Sequence, residues 1–123
     1  MGNPHVILCC DNDPWKVKLE VIGPLIENDP WFPKRVNVHF VKFESCRKQA
    51  IVRTWERGSG ITLACGSGAS AVCVAGVLLD LCDRQLLTKL PGGDLEIDCA
   101  SNDSNVIMTG PATEVFQGTV NLQ

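Results

Sequence analysis

Ile61-Thr62-Leu63-Ala64-Cys65-Gly66-Ser67-Gly68-Ala69-Ser70-Ala71-Val72-Cys73-Val74-Ala75-Gly76-Val77-Leu78-Leu79 is a run of 19 residues without a charge. Over residues 69–82, only Ser70, Gly76 and Asp80 are not apolar. A helix that is apolar all round must be buried on every side. Two settings can do that: a bilayer or a shell of strands. The opening Ala64-Cys65-Gly66-Ser67-Gly68 is too small and too glycine-rich for a membrane span, and the flanking segments read as half-buried strands. The expected fold is therefore α+β, one domain over residues 1–123. In it a curved, mixed β-sheet or barrel wraps round one central apolar helix.

The strands lie on both sides of that run. Residues 5–10 form a short apolar stretch, and Asn12-Asp13-Pro14 then signals a helix start, with a capping side chain and proline in the first turn. Val17, Val21, Ile22, Leu25 and Ile26 recur at helical spacing, and Gly23-Pro24 predicts a kink or two short pieces. Asp29-Pro30-Trp31-Phe32-Pro33 reads as loop. Val36, Val38 and Phe40 alternate with Asn37 and His39, which predicts a strand with the two polar side chains on one face. Residues 48–55 are β-rich. Leu95, Ile97 and Cys99 alternate with Asp94, Glu96 and Asp98 after a Pro91-Gly92-Gly93 turn. Asn102-Asp103-Ser104-Asn105 reads as a further turn, with last strands over 106–108 and 114–122.

Composition excludes several function classes. The chain has 123 residues, 45% apolar and 20% charged, which is ordinary for a globular protein and unlike a disordered one. Eleven basic against fourteen acidic residues give a net charge of −3, so no basic excess exists to displace counterions from a nucleic acid. Seven cysteines, an odd number, sit largely in apolar stretches and the chain opens without a signal peptide, so a reducing cytoplasm is expected rather than a disulfide scaffold. With no C-x-x-C pair and His5 far from His39 in sequence, no metal site is expected.

The chemistry concentrates where the extended chain turns into the apolar helix. A helix N-terminus carries partial positive charge and unpaired N–H groups. A thiolate at Cys65 is stabilised there, and the glycines of Gly66-Ser67-Gly68 let a bound anion approach the same N–H groups. Glu56-Arg57, a few residues upstream, supplies a carboxylate and a guanidinium. The other readings are a packed thiol at Cys65, a surface ion pair at Glu56-Arg57, an ordinary half-buried His5 and a turn residue at Asn3. Gly66-Ser67-Gly68-Ala69-Ser70-Ala71 also matches a loose G-x-G-x-x-A dinucleotide pattern, without the βαβ context that pattern needs.

A resemblance joins these fragments. Met1-Gly2-Asn3-Pro4-His5, Arg35-Val36-Asn37-Val38, Trp55-Glu56-Arg57-Gly58, Ala64-Cys65-Gly66-Ser67-Gly68-Ala69, Leu90-Pro91-Gly92-Gly93 and Met108-Thr109-Gly110-Pro111-Ala112 stand in the order seen in diaminopimelate epimerases. The chain resembles the C-terminal half of that family from Met1 to Leu122. The family is cofactor-independent and interconverts LL- and meso-diaminopimelate for lysine and peptidoglycan synthesis. Its two similar domains each wrap a sheet round a helix, with the active site in the cleft between them. The resemblance implies that Cys65 is one of two catalytic thiols, Glu56 its carboxylate partner, and His5 the partner of the opposing thiol. It implies that Asn3, Asn37 and Arg57 hold the distal end of diaminopimelate. Gly66 and Ser67 would offer N–H groups to the carboxylate at the reacting carbon. No second C-G-x-G segment is present, so the chain is expected to need an N-terminal half or self-association across the cleft. The alternatives are a related thiol-based amino-acid racemase or isomerase, and a non-catalytic binding or assembly domain of the same fold.

Overall fold

Each expected segment can be followed in a computed structural model that describes residues 1–100 and 105–122. The strands are β1 (His5–Cys9), β2 (Asn37–Phe43), β3 (Gln49–Glu56), β4 (Gly60–Thr62), β5 (Gln85–Leu90), β6 (Gly93–Cys99) and β7 (Val106–Thr109). Two helices accompany them, α1 (Leu19–Glu27) and α2 (Gly66–Leu78). All seven strands share one mixed sheet in the order β1-β2-β3-β5-β6-β7, with β4 paired to β3 off that path. The β1–β2 and β3–β5 pairs are parallel and the others antiparallel.

The two-residue period of β2 and β3 divides the core. Val41, Ala50 and Val52 pack with Ala69, Val72 and Cys73 of α2 and with Leu86 and Ile97. Val38 and Phe40 pack with Leu19 of α1, against which Trp55 also lies. Both faces of the strand are therefore covered, and residues 37–41 of β2 are buried without interruption. Each fully buried aliphatic side chain here contributes about 1.5–3 kcal/mol. Helix α2 contacts β1, β2, β5, β6 and β7. Its far end is moored by Arg47, whose guanidinium reaches Asp80 Oδ1 at 2.7 Å and Asp83 Oδ1 at 3.2 Å.

Three expectations are corrected. Among the described residues the sheet is open, with β1, β7 and the short β4 each paired on one side only, and does not close into a barrel. The strand expected over 114–122 does not form. Val115, Phe116, Val120 and Leu122 are all exposed, and a β-rich sequence becomes a strand only where a neighbour pairs it. Of the kink or two pieces expected at Gly23-Pro24, the division into pieces does not occur there, since α1 continues through both residues. Gly23 lies on the Trp55 indole, where a Cβ would come within 2.5 Å of the ring. Glu20, whose carbonyl loses its helical donor to Pro24, is exposed and can be served by water. The break falls earlier, at Val17-Lys18, between a 3-10 turn capped by Asp13 and α1 itself. Strands β4 and β5 had no counterpart in the sequence reading. The expected turn at 102–105 lies, except for Asn105, outside the described residues.

Candidate active site

One end of the sheet collects the polar residues. Parallel β1 and β2 both begin there, at His5 and Asn37, which are partners in the β1–β2 register. Antiparallel β3 ends there, at Glu56. The short β4 then brings the chain back, Glu56 opposite Gly60, and delivers it to the start of α2. The Pro91-Gly92 turn fixes that delivery, because the Gly92 N–H donates to Leu63 O at 2.7 Å. A Cβ on Gly92 would sit 3.0 Å from the Leu63 side chain.

Cys65 is the N-cap of α2, with extended backbone (φ −142°, ψ 103°) and a carbonyl that accepts from the Ala69 N–H. It is 7% exposed. Its Sγ lies 3.6 Å from Ser67 Oγ. From Ser67 a line of hydrogen bonds runs inward. The Asn3 amide donates to Ser67 Oγ (3.4 Å), and Asn3 Oδ1 contacts His5 Nε2 (3.1 Å). His5 Nδ1 contacts His39 Nε2 (2.8 Å), and His39 Nδ1 contacts Thr54 Oγ1 (2.9 Å). Burial holds His5 below the ordinary histidine range, helped by the α-ammonium group of Met1, while the Glu56 carboxylate acts in the opposite direction. His39 is pushed down to about 3 by burial and by its His5 neighbour. The Glu56 carboxylate accepts from the Thr62 hydroxyl at 2.7 Å.

Asn37 and Arg57 form a second group beside the first. Buried Asn37 accepts from the Arg57 backbone N–H at 2.8 Å and donates to Pro4 O at 3.3 Å, so it ties the strand that carries His5 to the turn after Glu56. The Arg57 guanidinium is exposed and donates to Lys34 O. Glu56 and Arg57 therefore have separate partners and do not form the surface ion pair weighed above. Behind that turn stands Glu27, at the last position of α1. Its carboxylate accepts from Trp55 Nε1 (2.6 Å), from the Gly58 N–H (2.9 Å) and from Arg35. Burial alone would raise the Glu27 carboxyl, but these donors outweigh it and hold it below the usual carboxylate value.

All eight site residues expected from sequence thus lie in one neighbourhood. Cys65, Ser67, Asn3 and His5 are joined by contacts, Glu56 acts on His5, and Asn37 holds Arg57. Gly66 opens α2, where a Cβ would meet only the flexible end of Met108 at 3.0 Å. The residues missed by sequence reasoning are His39, Thr54, Thr62 and Glu27. The signal for His39 was its shared face with Asn37; its contact with His5 depends on the β1–β2 register. Around α2 the preceding strand β4 is antiparallel to β3, so the parallel βαβ unit of a dinucleotide site is not formed there. No helix among the described residues is long and apolar enough to cross a membrane.

Comparison with known proteins accords with this geometry. A sequence profile described as diaminopimelate epimerase matches residues 1–115. The diaminopimelate epimerase of Rhizobium meliloti is 47% identical over 120 residues, covering 98% of this chain and 40% of that protein. Those of Rippkaea orientalis and Acetivibrio thermocellus are both 49% identical, each covering 99% of this chain and 43% of the relative. The chain spans about two-fifths of the length of the curated relatives it matches. By profile and by identity alike, the chain belongs to the diaminopimelate epimerase family.

Proposed function

We propose that this chain supplies one side of the active site of a cofactor-independent diaminopimelate epimerase, the C-terminal one of two domains. Cys65 serves as one of two acid–base thiols. In thiolate form it removes the α-proton as the Cα–H bond breaks, and the electron pair left on carbon spreads into the adjacent carboxylate. The N–H groups of Gly66 and Ser67, which have no partner within the helix, face that growing charge and stabilise it. A thiol on the opposite face, from the other domain, returns a proton, so configuration inverts and the thiol and thiolate exchange roles. Glu56 is the carboxylate partner of Cys65, and His5 serves the opposing thiol. Asn3, Asn37 and Arg57 bind the distal amino-acid end; an analogue without it would lose those contacts and be discriminated against.

The observation that carries this reading is the placement of Cys65 at the start of α2, joined through Ser67 and Asn3 to His5. The contacts of α2 with five strands support the finer fold proposed with it, a sheet curled round α2 as a central helix. Seven free thiols support residence in a reducing compartment such as the cytoplasm.

The test mixes this chain with the part of the Acetivibrio thermocellus relative that it does not match and assays epimerisation of LL-diaminopimelate. Inversion that is present in the mixture and lost with Cys65→Ala supports the proposal. Inversion by this chain alone points to self-association across the cleft, which sedimentation would show as a dimer. A mixture that binds diaminopimelate without inverting it would falsify the catalytic reading.

A further inference from the structure

The pair His5–His39 has a direction. Asn3 Oδ1 is an acceptor, so the His5 nitrogen that faces it at 3.1 Å, Nε2, carries hydrogen. In neutral His5 the other nitrogen, Nδ1, is then an acceptor, and the 2.8 Å contact requires the hydrogen on His39 Nε2. His39 Nδ1 is left as an acceptor for the hydroxyl hydrogen of Thr54, 2.9 Å away. Every donor in this sequence meets one acceptor. The three side chains share one face of the sheet, since His39 and Thr54 are register partners and His5 sits diagonally across from His39.

The packing round His39 holds it in that role. His39 is 0% exposed and Thr54 2%. Gly68 of α2 lies against the ring so closely that a Cβ there would come within 2.2 Å of His39 Cε1 and 2.9 Å of each ring nitrogen. Glu56 and the terminal ammonium are the ionisable groups that act on His5 from its other sides, and Cys65 is reached from it only through Asn3 and Ser67. A half-buried and a fully buried imidazole in contact suit a fixed hydrogen-bond line when both are neutral; two charged ones would repel each other where little water is present.

We propose that His39 is a positioning residue for the reaction: it donates to His5 Nδ1, with Thr54 fixing its own tautomer, and so acts with Asn3 Oδ1 to hold His5 as a neutral N–H donor through Nε2. That is the ring nitrogen on the Asn3, Ser67 and Cys65 side. When the opposing thiolate is presented, His5 supports it by turning this one N–H from Asn3 Oδ1 to the sulfur, without an imidazolium. A proton added at His5 Nδ1 would oppose the His39 N–H, unless the His39 proton moved to Nδ1 and the Thr54 hydroxyl turned round to accept. The link to catalysis rests on the proposed function above; the tautomer does not.

The chain holds two histidines, so 15N-histidine labelling reads both rings without ambiguity. Long-range 15N–1H NMR at pH 7 is expected to show both neutral with hydrogen on Nε2. His5 with hydrogen on Nδ1, His5 as imidazolium, or His39 with hydrogen on Nδ1 would each overturn the proposal. His39→Gln, whose amide can still donate, is expected to keep the His5 tautomer. His39→Phe should produce a mixture; an unchanged Nε2–H form in that variant overturns it. Once the chain is assembled with its complementary half, His39→Phe should lower kcat on the order of tenfold, a fraction of the usual acid–base contribution. KM should change less than twofold and His39→Gln should restore most of the rate. An equal loss in both variants would reduce His39 to a packing role. Should no epimerase assemble, the proposed function fails while the NMR result still decides the tautomer.

Discussion

The two faces of one sheet bury two polar clusters of different kinds. On the α1 face, Glu27 carries a charge and is answered in place by Arg35, Trp55 and the Gly58 N–H. On the α2 face, Thr54, His39, His5 and Asn3 make a neutral line that leads on to Ser67 and Cys65. The first cluster closes on itself and holds the Glu56-Arg57-Gly58 turn from behind. The second is open at one end, where the thiol is. A buried charge surrounded by donors fixes a backbone, whereas a neutral line with one hydrogen-bond direction orients the groups at its open end.

Breaking the closed cluster should have the largest effect on stability. Glu27→Ala strands the Trp55 and Gly58 N–H groups and is expected to cost about 2–3 kcal/mol in urea unfolding, with the share from half-exposed Arg35 discounted for solvent. Gly68→Ala attacks the other cluster through packing. The added methyl group overlaps the His39 ring, for an expected loss of about 1–3 kcal/mol and a disturbed His39 signal. Acid separates the clusters by the pH range in which each loses stability. His39 titrates near 3 in the fold and near 6.5 when unfolded, so below pH 6.5 the unfolded chain binds the extra proton and stability falls as pH drops. The slope attributable to His39 is about 1.4 kcal/mol per pH unit, and His39→Gln should remove it. The lowered Glu27 carboxyl stabilises above its unfolded value of 4.5, and that share is lost only at lower pH, so Glu27→Gln should leave the slope between pH 6.5 and 5 unchanged. Thr54→Val, which removes one hydroxyl donor, has the smallest expected effect, about 1 kcal/mol, with a His39 tautomer no longer fixed.

The sequence disclosed the two clusters unequally. The charge-free run placed α2 and put Cys65 at its start, although its last residues, Leu78 and Leu79, are exposed rather than enclosed. The alternation of β2 put Asn37 and His39 on one face. What it could not give was the neighbour across the strand: His39 meets His5 only because β1 lies parallel to β2 in a particular register. Glu27 was hidden for a similar reason, since a carboxylate at a helix end looks solvated until Trp55 and Gly58 are brought beside it. Gly68 had been assigned to anion approach, and the structure adds another demand, clearance for the His39 ring. The misread 114–122 segment shows the converse: its apolar residues suit a strand, but no described strand stands beside it to supply a ladder.

The most direct measurement is isotopic. With the complementary half supplied and the solvent replaced by D2O, turnover of LL-diaminopimelate should give inverted product carrying one deuterium at the α-carbon. Replacing the sulfur at position 65 by hydrogen, as in Cys65→Ala, should abolish the inverted, labelled product. Inversion without label, or inversion that persists in that variant, would contradict proton transfer at this thiol.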